Sequence, residues 1–139
     1  MNWLVWSLLS AFFAGLTAVL AKRGVSGLDS NLATAVRTTV VLVFAWLVAF
    51  VAADPGQLRH VQKQTWIFLV LSGLATGLSW LCYFRALQMG VVAKVASVDK
   101  LGVVFAIILA AVWLGEPLTW RTGAGAALIV AGAIVLAVR

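Results

Sequence analysis

This 139-residue chain contains few of the residues on which soluble enzymes depend. Charged residues make up 10% of it, only four residues are acidic, and it has one cysteine and one histidine. Soluble proteins average about a quarter charged residues, so this composition argues against a water-soluble core. A single cysteine excludes an intrachain disulfide, and one histidine beside it leaves no cluster for a metal ion. We therefore expect neither a metal site nor a cofactor.

What the chain has instead is apolar sequence, at 64% of all residues. It falls into five blocks, each close to the ~20 residues that a helix needs to cross ~30 Å of hydrocarbon. The connections between them are short, which makes successive helices antiparallel neighbours in one bundle. The sequence therefore predicts an all-α integral membrane protein with five transmembrane helices, at about 3–21, 32–53, 66–89, 92–114 and 118–138.

The net charge of +6 does not indicate nucleic-acid binding, because the ten cations lie singly or in pairs, most of them at block edges, rather than in one patch. We call the membrane face that holds the N-terminus and the second and fourth loops side A, and the opposite face side B. Side A has three edge cations and side B has four: Arg59, Lys63 and Arg121 against Lys22, Arg23, Lys94 and Arg139. Three against four predicts no fixed orientation by the positive-inside rule.

Four ionisable residues lie inside the apolar blocks and toward side B: Arg37, Arg85, Asp99 and Lys100. A charge at the bilayer centre costs ~2.5–3.5 kcal/mol, so we expect Arg37, Asp99 and Lys100 to project into one interior cavity or network. Arg85 either joins them or extends to the headgroups of side B. One interpretation is an ion-pair network that fixes helix packing. The other is a substrate-binding or coupling site, because three cations against one anion leave room for an anionic or zwitterionic ligand.

No residue pattern supports enzymatic chemistry. His60 lies in a loop on side A, far from the side-B charges, so no nucleophile and base are paired. The sequence Gly115-Glu116-Pro117 predicts a structural turn before the fifth helix, where an acidic residue favours the helix N-terminus.

Three stretches carry a resemblance to a known family. They are Tyr83-Phe84-Arg85-Ala86-Leu87, Trp113-Leu114-Gly115-Glu116-Pro117-Leu118-Thr119, and the glycines Gly125 and Gly132. With them, nearly the whole chain resembles the EamA-type domain of the drug/metabolite transporter superfamily, and Arg37 falls where that family often has an arginine. The resemblance implies half of a ten-helix inverted-repeat architecture with a central substrate cavity. Many members have a proline near Gly102, and here Asp99-Lys100 precedes that point instead.

An odd number of membrane helices places the two termini on opposite faces, so paired copies can run in opposite directions, as in inverted-repeat transporters. The leading hypothesis is a secondary transporter subunit of the inner or plasma membrane. It would move a small polar metabolite, such as an amino acid or organic anion, by alternating access as an antiparallel homodimer. A parallel dimer or a heteromeric partner is the rival assembly. The alternative functions are a lipid-linked headgroup flippase subunit and a membrane assembly protein that transports nothing.

Overall fold

The computed structural model describes residues 2–138, and Arg139, counted above among the side-B cations, lies outside them. Over the described range the chain consists of helices and their connections. The helices are α1 (Trp3–Gly24), α2 (Ser30–Ala52), α3 (Lys63–Met89), α4 (Val92–Asp99), α5 (Gly102–Trp113) and α6 (Trp120–Ala137), with a short 3₁₀ helix, Pro55–His60, between α2 and α3.

Five helical segments are long and apolar enough to cross a membrane. They are α1, α2, α3, the consecutive pair α4 and α5, and α6. The prediction of an all-α protein with five transmembrane helices is therefore confirmed. Helix α3 begins at Lys63, three residues before the expected start, and α6 begins at Trp120, two residues after it.

The fourth membrane segment differs from the single helix expected over 92–114, because it is interrupted after Asp99. The amide of Lys100 donates to the carbonyl of Ser97 (3.2 Å) and that of Leu101 to the carbonyl of Val98 (3.0 Å). These bonds span three residues, so the chain winds here as a 3₁₀ turn instead of an α-helix. The α-helix resumes with α5 at Gly102, and glycine is a poor helix former. A break thus forms without the proline that the family often has nearby.

Side-chain caps begin two of the membrane helices. The Asp29 carboxylate accepts hydrogen bonds from the amides of Asn31 (2.9 Å) and Leu32 (3.3 Å) and so begins α2. The Thr119 hydroxyl accepts from the amide of Thr122 (3.2 Å) and begins α6. These oxygens satisfy amides that have no partner inside the first helical turn.

The turn between α5 and α6 depends on Gly115, whose φ of +67° lies in the left-handed region that favours glycine. The amide of Glu116 then donates to the carbonyl of Ala110 (3.3 Å), which closes the end of α5. The capping position of α6 belongs to Thr119, so Glu116 stands before the helix rather than at its first residue.

The chain divides into two compact units, one from Ala21 to Gln88 and the other formed by residues 2–20 and 89–138. In the first unit the buried side chains gather at side B, where the end of α1, the start of α2 and the end of α3 meet: Ala21, Val25, Ser30, Ala33, Thr34, Phe84 and Leu87. In the second unit α6 packs alongside α4 and α5. The first unit is therefore held together at the end that contains Arg37 and Arg85.

Candidate functional site

Arg37 lies in the second turn of α2, at the packed side-B end of the first unit. Its helical neighbours are polar but use their hydroxyl protons locally. Thr34 donates to the carbonyl of Ser30 (2.8 Å), and Thr38 donates to the carbonyl of Thr34 (2.7 Å). Because these hydroxyls bond inside α2, Arg37 is the group in this turn whose donors extend toward another helix.

The Arg37 guanidinium stacks against two aromatic rings of α3. Its central carbon lies 4.2 Å from the centroid of the Trp80 ring and 5.5 Å from that of the Phe84 ring. Trp80 and Phe84 are four residues apart, so they lie one turn apart on one face of the helix. Both distances are within the ~6 Å range of a cation–π interaction. The two rings therefore form an aromatic platform that holds the cation inside the membrane segment.

Stacking leaves the edge of the guanidinium available for hydrogen bonding. A guanidinium presents five N–H donors in its own plane, and a ring face beneath that plane does not use them. Within the described residues 2–138, no carboxylate lies at ion-pair distance from Arg37. A planar anion such as a carboxylate fits the donor geometry with two parallel hydrogen bonds. The arrangement is thus chemically suited to bind an anionic group.

Phe84 was not assigned to this site from the sequence, where it appears only as part of the Tyr83–Leu87 stretch. A signal was present, because the spacing Trp-x-x-x-Phe in α3 places both rings on the same helical face. The sequence does not predict that α2 lies beside that face of α3. Phe84 is 3% exposed, so it both packs the unit and supports the cation.

Arg85 has different partners from Arg37. Its Nη1 donates to the side-chain oxygen of Gln88 (3.2 Å), and Gln88 donates in turn to the carbonyl of Leu28 (2.6 Å). These bonds connect the end of α3 to the loop between α1 and α2. Arg85 therefore takes part in a hydrogen-bond chain that fixes this loop.

Lys22 makes a second connection at the same end. Its ammonium group donates to the carbonyl of Leu87 (2.5 Å), close to the end of α3. The last carbonyls of a helix have no partner inside it and carry partial negative charge, which a lysine satisfies. The sequence had indicated Lys22 only as an edge cation, and the structure adds a helix-capping role.

Asp99 and Lys100 lie at the break between α4 and α5, in the second unit. The Lys100 ammonium is 3.8 Å from the Asp99 carboxylate, with the side chains 59% and 43% exposed respectively. Asp99 is the last residue of α4, and Lys100 lies between it and the start of α5. The two opposite charges therefore lie next to each other at the break. Helices broken within the membrane form binding sites in several transporter folds.

The predicted site residues are thus found in two places. Arg37 and Arg85 belong to the first unit, and Asp99 and Lys100 pair with each other in the second. Their convergence on one cavity stays a prediction. Among the residues that the structure describes, no three His, Cys, Asp or Glu side chains are grouped where they would hold a metal ion.

Five apolar helical segments define a multi-pass membrane protein. Two of these segments contain ionisable groups: one has an arginine on an aromatic platform, and another is broken at a charged pair. Residues 1–138 match the model of the EamA-like transporter family. The chain therefore belongs to the EamA-like transporter family, and its function is membrane transport rather than enzymatic catalysis.

Three relatives are named as transporters. The chain is 49% identical to the "Uncharacterized transporter in cobO 3'region" of Sinorhizobium sp., over 99% of this chain and 97% of that protein. It is 33% identical to the "Probable terminal-alkyne amino-acid exporter" of Streptantibioticus cattleyicolor, over 96% of this chain and 44% of that protein. It is 30% identical to the "Uncharacterized transporter YvbV" of Bacillus subtilis, over 87% of this chain and 40% of that protein. The chain thus spans less than half of the last two relatives, and no solved structure matches it significantly.

Proposed function

We propose that this chain is a subunit of a secondary transporter that moves a small polar metabolite with an anionic group by alternating access. The observation that carries the proposal is the Arg37 guanidinium stacked 4.2 Å from the Trp80 ring centroid. The two rings hold the guanidinium in place, so a substrate carboxylate meets donors that are already positioned. Preorganised donors lose less conformational entropy when the ligand binds.

Electrostatics supports an anionic ligand. A cation within a membrane helix is costly unless it faces a partner or a wet cavity. The rings offset part of this cost for Arg37, and Asp99 offsets it for Lys100. A substrate carboxylate bound to the N–H groups of Arg37 would stabilise the cation further while the contact with the rings is kept. We propose that Lys100 and Asp99 contribute to the same substrate site or to ion coupling.

An amino acid is the substrate class that we favour. The relative from Streptantibioticus cattleyicolor is named as a probable exporter of a terminal-alkyne amino acid, and the similarity covers 96% of this chain. An amino acid would present its carboxylate to Arg37, and other organic anions would make the same contact.

We propose that the working unit is a homodimer of two copies in opposite orientations in the inner or plasma membrane. Two relatives are more than twice as long as the part that this chain matches, whereas the Sinorhizobium protein is matched over 97% of its length. This supports a ten-helix unit made either within one long chain or from two short ones. The edge cations, three against four, favour neither orientation.

A proteoliposome flux screen tests the proposal. Purified protein is reconstituted and assayed for uptake of labelled amino acids and organic anions, beside Arg37→Ala, Lys100→Ala and the matched edge-cation control Arg121→Ala. We expect flux in the wild type and the control and its loss in Arg37→Ala. Unaltered flux in folded, inserted Arg37→Ala and Lys100→Ala proteins would refute the proposed site. Movement of a labelled lipid headgroup without metabolite flux would favour the flippase alternative.

A further inference from the structure

The first unit contains a groove that belongs neither to the Arg37 site nor to the packed side-B end. It has a volume of about 430 Å³ and lies where the last turns of α2 meet the segment that leads to α3. Its walls are apolar, with Leu42, Trp46 and Ala49 on α2 and Leu58 and Val61 on the other side. This volume is within the range of sites that hold small molecules, ~300–1,000 Å³.

The groove opens on the side of α2 that faces away from the Arg37 site. Trp46 follows Arg37 by nine residues, about two and a half turns, so the two side chains project from opposite sides of the helix. Arg37 points at α3, where it meets Trp80. If the face with the cation lines the transport pathway, the face with the groove is turned to the hydrocarbon. The surrounding molecules there are phospholipids.

The chain beside the groove is cationic. Arg59 and Lys63 lie four residues apart, one at the end of the 3₁₀ helix and the other at the start of α3, and both are exposed. The carboxylate of Asp54 is at the rim, but it accepts a hydrogen bond from the amide of Gly56 (2.9 Å) and so caps the 3₁₀ helix. Two basic side chains lie beside one carboxylate that is already hydrogen-bonded, and this surplus of positive charge complements an anionic headgroup. Clusters of basic residues at a membrane surface attract anionic lipids for this reason.

We propose that this groove is a binding site for an anionic phospholipid. One acyl chain lies between Trp46 and Leu58, and the phosphate group is held by Arg59 and Lys63. Arg59 belongs to the 3₁₀ helix and Lys63 is the first residue of α3, so both cations lie in the loop region that the sequence places on side A, where lipid headgroups are expected. The site lies outside the proposed transport pathway, so it does not depend on the identity of the substrate.

Native mass spectrometry of the purified full chain tests this proposal. The probes are phosphatidylglycerol and phosphatidylcholine with identical acyl chains, which differ only in headgroup charge. We expect the wild type to retain phosphatidylglycerol preferentially. Arg59→Gln and Lys63→Gln should each weaken its retention about fivefold, the usual effect of one cation near an anionic surface. Arg121→Gln removes a matched side-A cation that belongs to the other compact unit, and it should leave the preference unchanged.

A second pair of variants tests the acyl-chain contact. Ala49→Phe fills the groove and should reduce retention of both lipids, whereas Ala35→Phe, on an exposed position of the same helix, should not. An unchanged preference in the Arg59→Gln/Lys63→Gln double variant would overturn the proposal. So would an equal loss in Arg121→Gln, or an Ala49→Phe protein that changes its oligomeric mass while retaining lipid. If Ala49→Phe fails to fold, Arg59→Gln and Lys63→Gln still test the proposal, because both residues lie on an exposed segment.

Discussion

The Arg37 guanidinium lies 4.2 Å from the centroid of the Trp80 ring, so a cation of α2 is held on an aromatic face of α3. In a membrane segment this contact does two things at once. It offsets part of the cost of placing a charge in low dielectric, and it fixes the plane of the donors. The contact connects the fold of the first unit to the proposed recognition of an anion.

Replacing Trp80 should weaken substrate binding, and the effect should be larger when the new side chain has no aromatic ring. A cation–π contact contributes about 0.5–2 kcal/mol, so Trp80→Leu should raise KM about two- to thirtyfold, and Trp80→Phe should raise it less. The measurement is concentration-dependent uptake in proteoliposomes. Trp46→Leu, on the opposite side of α2 from Arg37, is the matched tryptophan control and should leave KM unchanged. Equal effects of Trp80→Leu and Trp46→Leu would count against a role for the platform.

Lys22→Met should destabilise the side-B end of the first unit. It removes the donor to the carbonyl of Leu87, a residue with 0% exposure, and an unsatisfied buried carbonyl costs about 1–3 kcal/mol. Thermal unfolding in detergent should show the loss. Arg23→Met, the adjacent exposed cation, should change stability by less than about 0.5 kcal/mol. If the two variants melt alike, the lysine cap has no measurable role.

Gly115→Ala should destabilise the turn between α5 and α6. The φ of +67° is in the left-handed region, where a Cβ costs about 1 kcal/mol or more. Gly123→Ala provides the comparison, because that glycine is inside α6 and an added Cβ would contact nothing within 4 Å. We expect the melting temperature to fall for the first variant and to stay level or rise for the second. The reverse order would contradict this account of the turn.

The membrane segments followed from the sequence, whereas the break and the platform did not. Hydrophobic blocks of about 20 residues predict spanning helices because the bilayer sets their length. No proline predicts the 3₁₀ turn after Asp99, and the local residue that disfavours a continuous helix there is Gly102. The spacing of Trp80 and Phe84 placed two rings on one face, but the approach of Arg37 depends on packing between helices distant in sequence. Short sequence patterns do not predict contacts between helices that are distant in the sequence.

The antiparallel homodimer predicts two populations of C-termini. A cysteine-free chain carrying a C-terminal tag, expressed in cells, should be labelled from outside by an impermeant reagent in about half of the molecules and protected in the rest. Lysed cells give the total. The balanced edge cations leave both orientations open to insertion. A tag found on one side in every molecule would rule out dual orientation and favour a parallel dimer or a partner of opposite topology.

The most direct test of the central claim compares a transported amino acid with its uncharged amide. If Arg37 binds the substrate carboxylate, wild-type protein should prefer the acid over the amide by roughly tenfold or more in KM, since a charge-assisted hydrogen bond contributes about 1.5–3 kcal/mol. In Arg37→Gln this preference should disappear while the folded, inserted protein is recovered in normal amount. An acid-to-amide ratio that is the same in the wild type and in Arg37→Gln would contradict the account.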